Sequence, residues 1–204
     1  MKTLHIVRHG ETDYNLANIV QGKGLNPSLN ATGKQQALQL YRHYSESKFD
    51  FIFTSTLKRT HETVTHFLKD DTPWQPMHHL DEISWGELEG KQAFESRERI
   101  HALLENWRMG NLDDKIAGGE SPLELAQHHK RFVAHYRALP HRNLLVCTHG
   151  RAMRILLSTM LETPLTEMDQ YHHKNTSVYT LRDDGKRITL LGSNSLEHLT
   201  HAVL

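Results

Sequence analysis

Two short apolar runs in this 204-residue chain each end in a His-Gly pair. The first run, residues 3–8, stops at His9-Gly10, and the second, residues 144–148, stops at His149-Gly150. Continuous apolar runs of this length are typical of strands that are buried on both faces, as in parallel sheets covered by helices. Because the carboxyl ends of such strands meet at one edge of a sheet, we expect the two histidines to lie there together.

Helix and strand signals alternate along the rest of the chain. Asn30 can cap a helix whose first turn is weakened by Gly33, and the hydroxyls of residues 54–56 can cap another. Ser121 and Glu124 form a capping box at the start of a later helix. The remaining signals are a strand at 51–53, helices ending near 68, over 91–110, up to about 139 and over 150–161, and a hairpin at 177–181 and 187–191.

This alternation predicts an α/β fold, a three-layer α/β/α sandwich with a mostly parallel central sheet. The length suits one domain over residues 1–204, with a helical cap-like insertion at about 91–140. Lysine plus arginine and aspartate plus glutamate both number 24, so no global charge favours a nucleic acid or membrane partner. The single cysteine, Cys147, cannot form an intramolecular disulfide, and no signal-peptide or spanning run occurs, so we expect a cytoplasmic protein.

The chain has 17 histidines, and most of them are expected on the surface. The adjacent pairs His78-His79, His128-His129 and His172-His173 are expected to point apart in a helix or a strand. His5 and His9 have a helical metal-site spacing but fall on a predicted strand, where their rings would be too far apart. We therefore expect no metal and no other cofactor.

Arginines accompany the two strand-end histidines. Arg8 precedes the first, Arg59 lies at the start of a predicted helix, and either Arg151 or Arg154 follows the second. A single histidine in such a place would more often satisfy buried backbone groups. Two of them beside guanidinium groups, which bind phosphate bidentately, instead predict a phosphate site.

The segment Arg8-His9-Gly10-Glu11-Thr12 resembles the signature of the histidine phosphatase superfamily, which includes cofactor-dependent phosphoglycerate mutases. Further matches follow in order at Asn15, Gln21-Gly22, Gly33-Lys34-Gln35-Gln36-Ala37, Ser55 to Thr63, Leu80-Asp81-Glu82, Gly86-Glu87-Leu88-Glu89-Gly90, Gly118-Gly119-Glu120-Ser121 and Thr148-His149-Gly150. The resemblance spans residue 4 to about 181 and implies a phosphoglycerate mutase-like fold.

The resemblance also implies catalytic roles. His9 would attack phosphorus to form a phosphohistidine, Glu82 would protonate the leaving oxygen, and Arg8, Arg59 and His149 would hold the phosphoryl group. The substrate-binding positions it implies are Asn15, Gln21, Gly22 and Gly150.

Glu82 has two competitors for the role of general acid, Asp81 and Glu87, and only the family position after Leu80 favours it. The segment Asn26-Pro27-Ser28-Leu29-Asn30 departs from the Asp-x-Pro-Leu-Thr pattern of many relatives, but Asn30 can still cap the following helix. Cys147 lacks an arginine six residues later, where a cysteine phosphatase would have one, so it is predicted to be a core residue.

Three functions stay open, and the first is favoured. It is a metal-independent phosphomonoesterase acting on a small phosphorylated metabolite, because the compact form resembles the phosphatase branch. The second is a phosphoglycerate mutase, although no adjacent arginine pair is present after residue 90 to bind a substrate carboxylate. The third is a non-catalytic module that binds a phosphorylated ligand. The sequence leaves the natural substrate and the oligomeric state open.

Overall fold

The computed structural model of the chain describes residues 1–70 and 72–200. The strands are β1 (Lys2–Arg8), β2 (Phe51–Thr54), β3 (Trp74–Pro76), β4 (Asn143–Thr148), β5 (Val178–Asp183) and β6 (Ile188–Ser195). The helices are α1 (Asp13–Leu16), α2 (Ala31–Tyr44), α3 (Lys58–Val64), α4 (Arg97–Arg108), α5 (Pro122–Ala138), α6 (Gly150–Leu161) and α7 (Glu197–Thr200). The predicted domain over 1–204 includes residues 71 and 201–204, which lie outside the described residues, and it stays a prediction.

The six strands form one sheet in the order β3-β2-β4-β1-β5-β6. The first four are parallel, while β5 and β6 run antiparallel to their neighbours as the predicted hairpin. Strands β1 and β4 are adjacent, with Arg8 opposite Thr148. The two His-Gly pairs therefore follow neighbouring strand ends at one edge of the sheet, as the sequence predicts.

Helices cover both faces of the sheet, which confirms the three-layer sandwich. On one face, Ile6 and Val146 pack in a buried cluster with Phe132 of α5 and Leu156 of α6. On the other face, residues from the same strands pack in a second cluster with α2 and α3. That second cluster comprises Val7, Leu40, Phe49, Ile52, Val64, Phe67, Leu145, Cys147 and Val178. Cys147 is fully buried there with a free thiol, so its predicted core role is confirmed.

Two of the predicted helix caps are present and one is wrong. The Asn30 side chain accepts a hydrogen bond from the Gly33 N–H at the start of α2, and Ser121 and Glu124 form the capping box of α5. The hydroxyls of residues 54–56 do not cap α3. Instead, the Lys58 N–H of α3 donates to Asn26 Oδ1 at 2.7 Å, so the segment that departs from the family pattern supplies this cap.

Gly33 has a packing role that explains a helix-weakening residue in the first turn of α2. A Cβ at this position would lie 2.1 Å from the Glu11 carbonyl oxygen, which is far inside contact distance. The Asn30 N–H also donates to that carbonyl at 3.0 Å. Only glycine therefore allows the loop after β1 to lie directly on the start of α2.

The region over 91–140 contains two helices with different surroundings. The first helix begins at Arg97 rather than near 91, because the preceding residues form turns and a β-bridge joins Ile19 to Gln92. Its Trp107 packs in a third cluster, away from the sheet. In contrast, α5 buries Phe132 and Tyr136 against the sheet and forms part of the sandwich.

The histidines are less exposed than the sequence analysis expects. Within the described residues, His43, His78, His101 and His172 are exposed, whereas His9, His129, His149 and His198 are buried. The expectation that adjacent pairs point apart is wrong for His78 and His79, whose ring centroids are 3.9 Å apart. These two residues lie in a 3-10 turn, whose geometry differs from that of both a helix and a strand.

None of the helices formed by residues 1–70 and 72–200 has both the length and the apolar character needed to cross a bilayer. The longest, α5, carries several charged side chains.

Helix α5 buries His129 completely, and neither ring nitrogen of His129 has a hydrogen-bond partner among the described residues. Burial, aided by the neighbouring His128 and His79, lowers the pKa of His129 to about 3.

This burial predicts a specific loss of stability in acid. Below about pH 6.5 the unfolded chain protonates His129, whereas the folded chain does so only near pH 3, so the free energy of unfolding falls as the pH is lowered across that window. Between pH 7.5 and 5.5, wild type should lose about 1.4 kcal/mol more stability than His129→Leu. Urea unfolding at the two pH values measures this difference.

His101→Leu is the matched control, because it removes a histidine that lies exposed on α4. This control should show the wild-type loss of stability. If His129→Leu also shows the wild-type loss, the folded protein accommodates a charged His129 and the prediction is wrong.

Candidate active site

A polar pocket of about 260 Å³ opens at the edge of the sheet where β1 and β4 end. It is lined by Arg8, His9, Asn15, Ile19, Gln21, Arg59, Glu82, Trp85, Gly150, Arg151, Arg154 and His173. The structure thus brings together most of the site residues named from the sequence. The two exceptions, Gly22 and His149, lie behind the pocket and hold Arg59.

His9 is fixed in one tautomer by its own loop. Its Nδ1 lies 2.7 Å from the Gly10 carbonyl oxygen, and because a carbonyl only accepts, Nδ1 carries the hydrogen. The lone pair is then on Nε2. Burial, together with the positive charges of Arg59 and Arg8, holds the pKa of His9 well below its ordinary value. His9 is therefore a neutral imidazole with a nucleophilic Nε2.

The backbone around His9 is also anchored. The Gly10 N–H donates to Thr63 Oγ1 at 2.9 Å, and Asn175 Nδ2 donates to the His9 carbonyl at 3.0 Å. These contacts come from α3 and from the loop before β5. The backbone that carries the imidazole is thus held by two separate parts of the fold.

Arg59 is a fully buried guanidinium at the start of α3. Its Nε donates to His149 Nδ1 at 3.1 Å, and its terminal nitrogens donate to the carbonyl oxygens of Leu25 and Gly22. All three acceptors are neutral, so the positive charge is oriented without being cancelled. Burial lowers the pKa of Arg59 to about 10, and the group remains a cation at neutral pH.

His149 fixes the orientation of Arg59 by accepting a hydrogen bond from its guanidinium group. Since its Nδ1 accepts from Arg59, its Nε2 carries the hydrogen and donates to Ser55 Oγ at 2.7 Å. Burial and the Arg59 charge hold the pKa of His149 well below its ordinary value. Its ring centroid is 5.1 Å from that of His9. In this geometry both nitrogens of His149 are engaged with protein groups.

Arg8 brings a second, half-buried cation to the pocket. Its Nη1 donates to His173 Nδ1 at 3.4 Å, while its buried Nε has no hydrogen-bond partner among the described residues. A buried N–H without a partner is costly unless a ligand accepts from it. Burial, together with Arg8, lowers the pKa of His173 to about 3, so this ring adds no charge at neutral pH.

Glu82 lies at the amino end of α6, with its carboxyl group in the pocket. Its Oε1 accepts from the N–H groups of Ile83 at 3.0 Å and Ala152 at 2.8 Å, and its Oε2 accepts from the Arg151 N–H at 3.2 Å. A carboxylate offers about four lone pairs. These three bonds therefore leave one position on Oε2 for a proton.

The two competing acids lie elsewhere. Both oxygens of Asp81 accept hydrogen bonds from Thr56, and the carboxyl group does not line the pocket. Glu87 forms an exposed ion pair with Arg99 at 2.5 Å. Of the three acids weighed from the sequence, the structure brings Glu82 to His9.

Asn15 and Gln21 form the opposite wall. Asn15 Oδ1 accepts from Thr12 and from Asn175, and Thr12 Oγ1 also lies 3.1 Å from Gln21 Oε1. On the α6 side, a Cβ at Gly150 would lie 2.9 Å from Cε1 of His173. Gly150 thus allows the segment carrying His173 to approach the pocket.

The sequence predicts that one arginine of α6 contributes to the site, whereas two arginines of α6 line the pocket in the structure. Arg151 and Arg154 both bind the Asp169 carboxylate, which Arg108 also contacts. Although burial opposes it, the charges of Arg151 and Arg154 bring the pKa of Asp169 down to about 2. Arg151 also lies over the Trp107 ring, 5.7 Å from its centroid. One carboxylate cannot cancel this much positive charge, so the rim of the pocket stays cationic.

Three pocket residues, His173, Trp85 and Ile19, were missed from the sequence. Of these three, His173 belongs to a pattern that is visible in the sequence, because it is part of an adjacent histidine pair in the segment that precedes β5. Among the described residues, the group of three side chains able to hold a metal ion lies outside the pocket, at His78, His79 and His128. The pocket itself suits a small multiply charged anion such as a phosphoryl group.

Comparison with known proteins gives concordant results. The chain is 26% identical to "Putative phosphoserine phosphatase 2" of Hydrogenobacter thermophilus, covering 97% of this chain and 98% of that protein. It is 34% identical to "Probable phosphoglycerate mutase GpmB" of Escherichia fergusonii, covering 87% and 83%. A solved phosphoserine phosphatase mutant from Entamoeba histolytica, in complex with phosphoserine, has a TM-score of 0.84 at 23% identity, covering 98% and 100%.

The family model of the histidine phosphatase superfamily, branch 1, matches residues 4–195 of this chain. That range contains β1 from Leu4 onward, the whole of β4 and every residue of the pocket. The chain therefore belongs to the histidine phosphatase superfamily.

Proposed function

We propose that this protein is a phosphomonoesterase that transfers the phosphoryl group of a small phosphorylated metabolite to His9 and then to water, without a catalytic metal. The observation that carries the proposal is the neutral His9, whose Nε2 lone pair is available in a pocket lined by Arg8 and Arg59. Phosphoryl transfer to a histidine needs a nucleophile and fixed cations that stabilise the phosphoryl charge. An acid that protonates the leaving oxygen assists it.

In the first step, Nε2 of His9 forms a bond to phosphorus as the bond to the ester oxygen breaks. That oxygen takes the proton from Oε2 of Glu82, so the product leaves as a neutral alcohol. Arg8 and Arg59 line the pocket, where their charges would offset the negative charge that spreads over the phosphoryl oxygens.

In the second step, water attacks the phosphohistidine. Glu82 accepts a proton from the water as its oxygen bonds to phosphorus and the bond to Nε2 breaks. Inorganic phosphate leaves, and His9 and protonated Glu82 are restored. Each proton and each bond is accounted for without a further group.

Replacement of the nucleophile provides the first test. His9→Ala should reduce kcat for p-nitrophenyl phosphate by at least about a thousandfold, because the other imidazole in the pocket, His173, has its Nδ1 lone pair engaged by Arg8. Wild-type reactions quenched in alkali should contain an alkali-stable, acid-labile phosphoenzyme that the variant lacks. His101→Ala, changed at an exposed histidine on α4, is the control. Near wild-type hydrolysis by His9→Ala would show that His9 is not the nucleophile.

The leaving-group dependence tests Glu82. Glu82→Gln should slow an alkyl phosphate by about 10² to 10⁴-fold, yet slow p-nitrophenyl phosphate much less, because nitrophenolate leaves without protonation. Glu87→Gln, at an exposed carboxyl group, should leave both rates unchanged. Equal slowing of the two esters by Glu82→Gln would contradict the acid role and indicate that Glu82 orients the phosphoryl group.

The cationic rim supports a narrower substrate class, a phosphoester whose leaving group carries a second anion. The buried Nε of Arg154 lacks a hydrogen-bond partner among the described residues, and the Arg151 guanidinium lines the same wall. The names of the relatives agree with this class, because phosphoserine carries a carboxylate. A carboxylate placed here would accept further hydrogen bonds from these guanidinium groups.

Matched pairs of esters test this class. The kcat/KM for phosphoserine should exceed that for phosphoethanolamine by about tenfold or more, and the same should hold for 3-phosphoglycerate over glycerol 1-phosphate. Arg151→Ala should reduce both ratios, whereas Arg99→Ala, which removes an exposed arginine, should preserve them. Ratios near one in wild type would exclude a carboxylate-bearing substrate and leave the phosphatase proposal intact.

A mutase is the second candidate, since the relative from Escherichia fergusonii is named as one. The same phosphohistidine would then return its phosphoryl group to a bound phosphoglycerate. Incubation of 3-phosphoglycerate with 2,3-bisphosphoglycerate separates the two functions. Formation of 2-phosphoglycerate faster than release of inorganic phosphate would favour the mutase.

A further inference from the structure

A cluster of imidazoles outside the pocket joins two parts of the chain. His78 and His79 lie in the 3-10 turn His78–Leu80, and His128 lies on α5. The three residues each offer a ring nitrogen, and these nitrogens all lie within 4.8 Å of one another. The Nδ1 atoms of His79 and His128 are 3.2 Å apart.

This spacing fits two ligands on one metal ion. Two nitrogens at about 2.05 Å from a tetrahedral zinc ion are separated by roughly 3.3 Å. The observed 3.2 Å also allows a hydrogen bond between the two rings, in which one Nδ1 carries the hydrogen. With a metal, both Nδ1 atoms act as ligands and both hydrogens are on Nε2. The exposed ring of His78 supplies the third nitrogen and leaves a fourth position to solvent.

The charges around the cluster are mixed. Arg131 and Lys23 lie near enough to disfavour positive charge on these rings, while Glu120 favours it at His128. Burial, together with the charges of His78 and His128, lowers the pKa of His79 to about 4.

We propose that His78, His79 and His128 form a site for a divalent transition metal ion of the zinc class. Nitrogen ligands select such ions over magnesium or calcium. The sequence analysis expected no metal because these residues show no ligand spacing along the chain, and the site exists only once α5 packs against the turn. The bound ion would clamp that turn to α5.

The site is separate from the pocket but shares a segment with it. Leu80, which ends the turn, accepts a hydrogen bond from Thr148 Oγ1 through its carbonyl oxygen at 2.8 Å. Asp81 and Glu82 follow directly. Because none of the three histidines lines the pocket, the ion is expected to stabilise the fold rather than take part in phosphoryl transfer.

Cobalt binding to tag-free protein tests the site. Wild type should bind one Co²⁺ per chain, with the visible absorption bands of a nitrogen-ligated ion. His79→Ala and His128→Ala should each weaken binding by at least about a hundredfold, since even changes outside the ligand shell cost 10 to 100-fold. In wild type, Zn²⁺ at about 100 times its Kd should raise the Tm by about 5 to 10 °C.

Two further variants keep the test decisive. His78→Ala changes an exposed ring, so its folding is not in question, and it should also weaken binding. His101→Ala removes an exposed histidine on α4 and should bind as wild type does. If wild type binds no ion, or if His128→Ala binds as tightly as wild type, the cluster is a hydrogen-bonded histidine pair and the proposal is wrong.

Hydrolysis measured with and without EDTA separates this proposal from the proposed function. Activity should be unchanged by the chelator, because the catalytic groups lie outside the metal site. Loss of activity that a divalent ion restores would contradict the metal-independent mechanism, whatever the cobalt titration shows.

Discussion

The pocket depends on the hydrogen bond from Arg59 Nε to His149 Nδ1. A buried guanidinium is costly, and a carboxylate partner would stabilise it while cancelling the charge that a phosphate ester needs. Here a neutral imidazole and two backbone carbonyls orient the cation instead. Burial, together with the same charge, holds the pKa of His9 and that of His149 well below the ordinary value. One arrangement therefore accounts for the cationic pocket, the lone pair on His9 Nε2 and the tautomers of the two buried imidazoles.

The carboxyl group of Glu82 and the imidazole of His9 line the same pocket at one edge of the sheet. Its oxygens accept from the N–H groups at the amino end of α6, which begins directly after His149. These N–H groups would otherwise lack partners. The strand that supplies His149 therefore also fixes the acid, and the helix satisfies its own first turn by doing so.

Much of the fold and the centre of the site could be predicted from the sequence, whereas the rim could not. The apolar runs before His9 and His149 place both residues because parallel strand ends coincide. Arg151 and Arg154 lie three residues apart on α6, and only their shared partner Asp169 shows that both matter. His173 enters from a segment without periodic signals, so its position depends on the tertiary path before β5.

The cluster of His78, His79 and His128 is still harder to predict from the sequence. Adjacent residues point apart in regular elements, but the 3-10 turn brings the rings of His78 and His79 to 3.9 Å. His128 joins them from about fifty positions away, through the packing of α5. That turn leads directly to Glu82, whose carboxyl group is held in the pocket by N–H groups of α6. The packing of the turn against α5 therefore positions the same short segment from its other end, although the three histidines do not line the pocket.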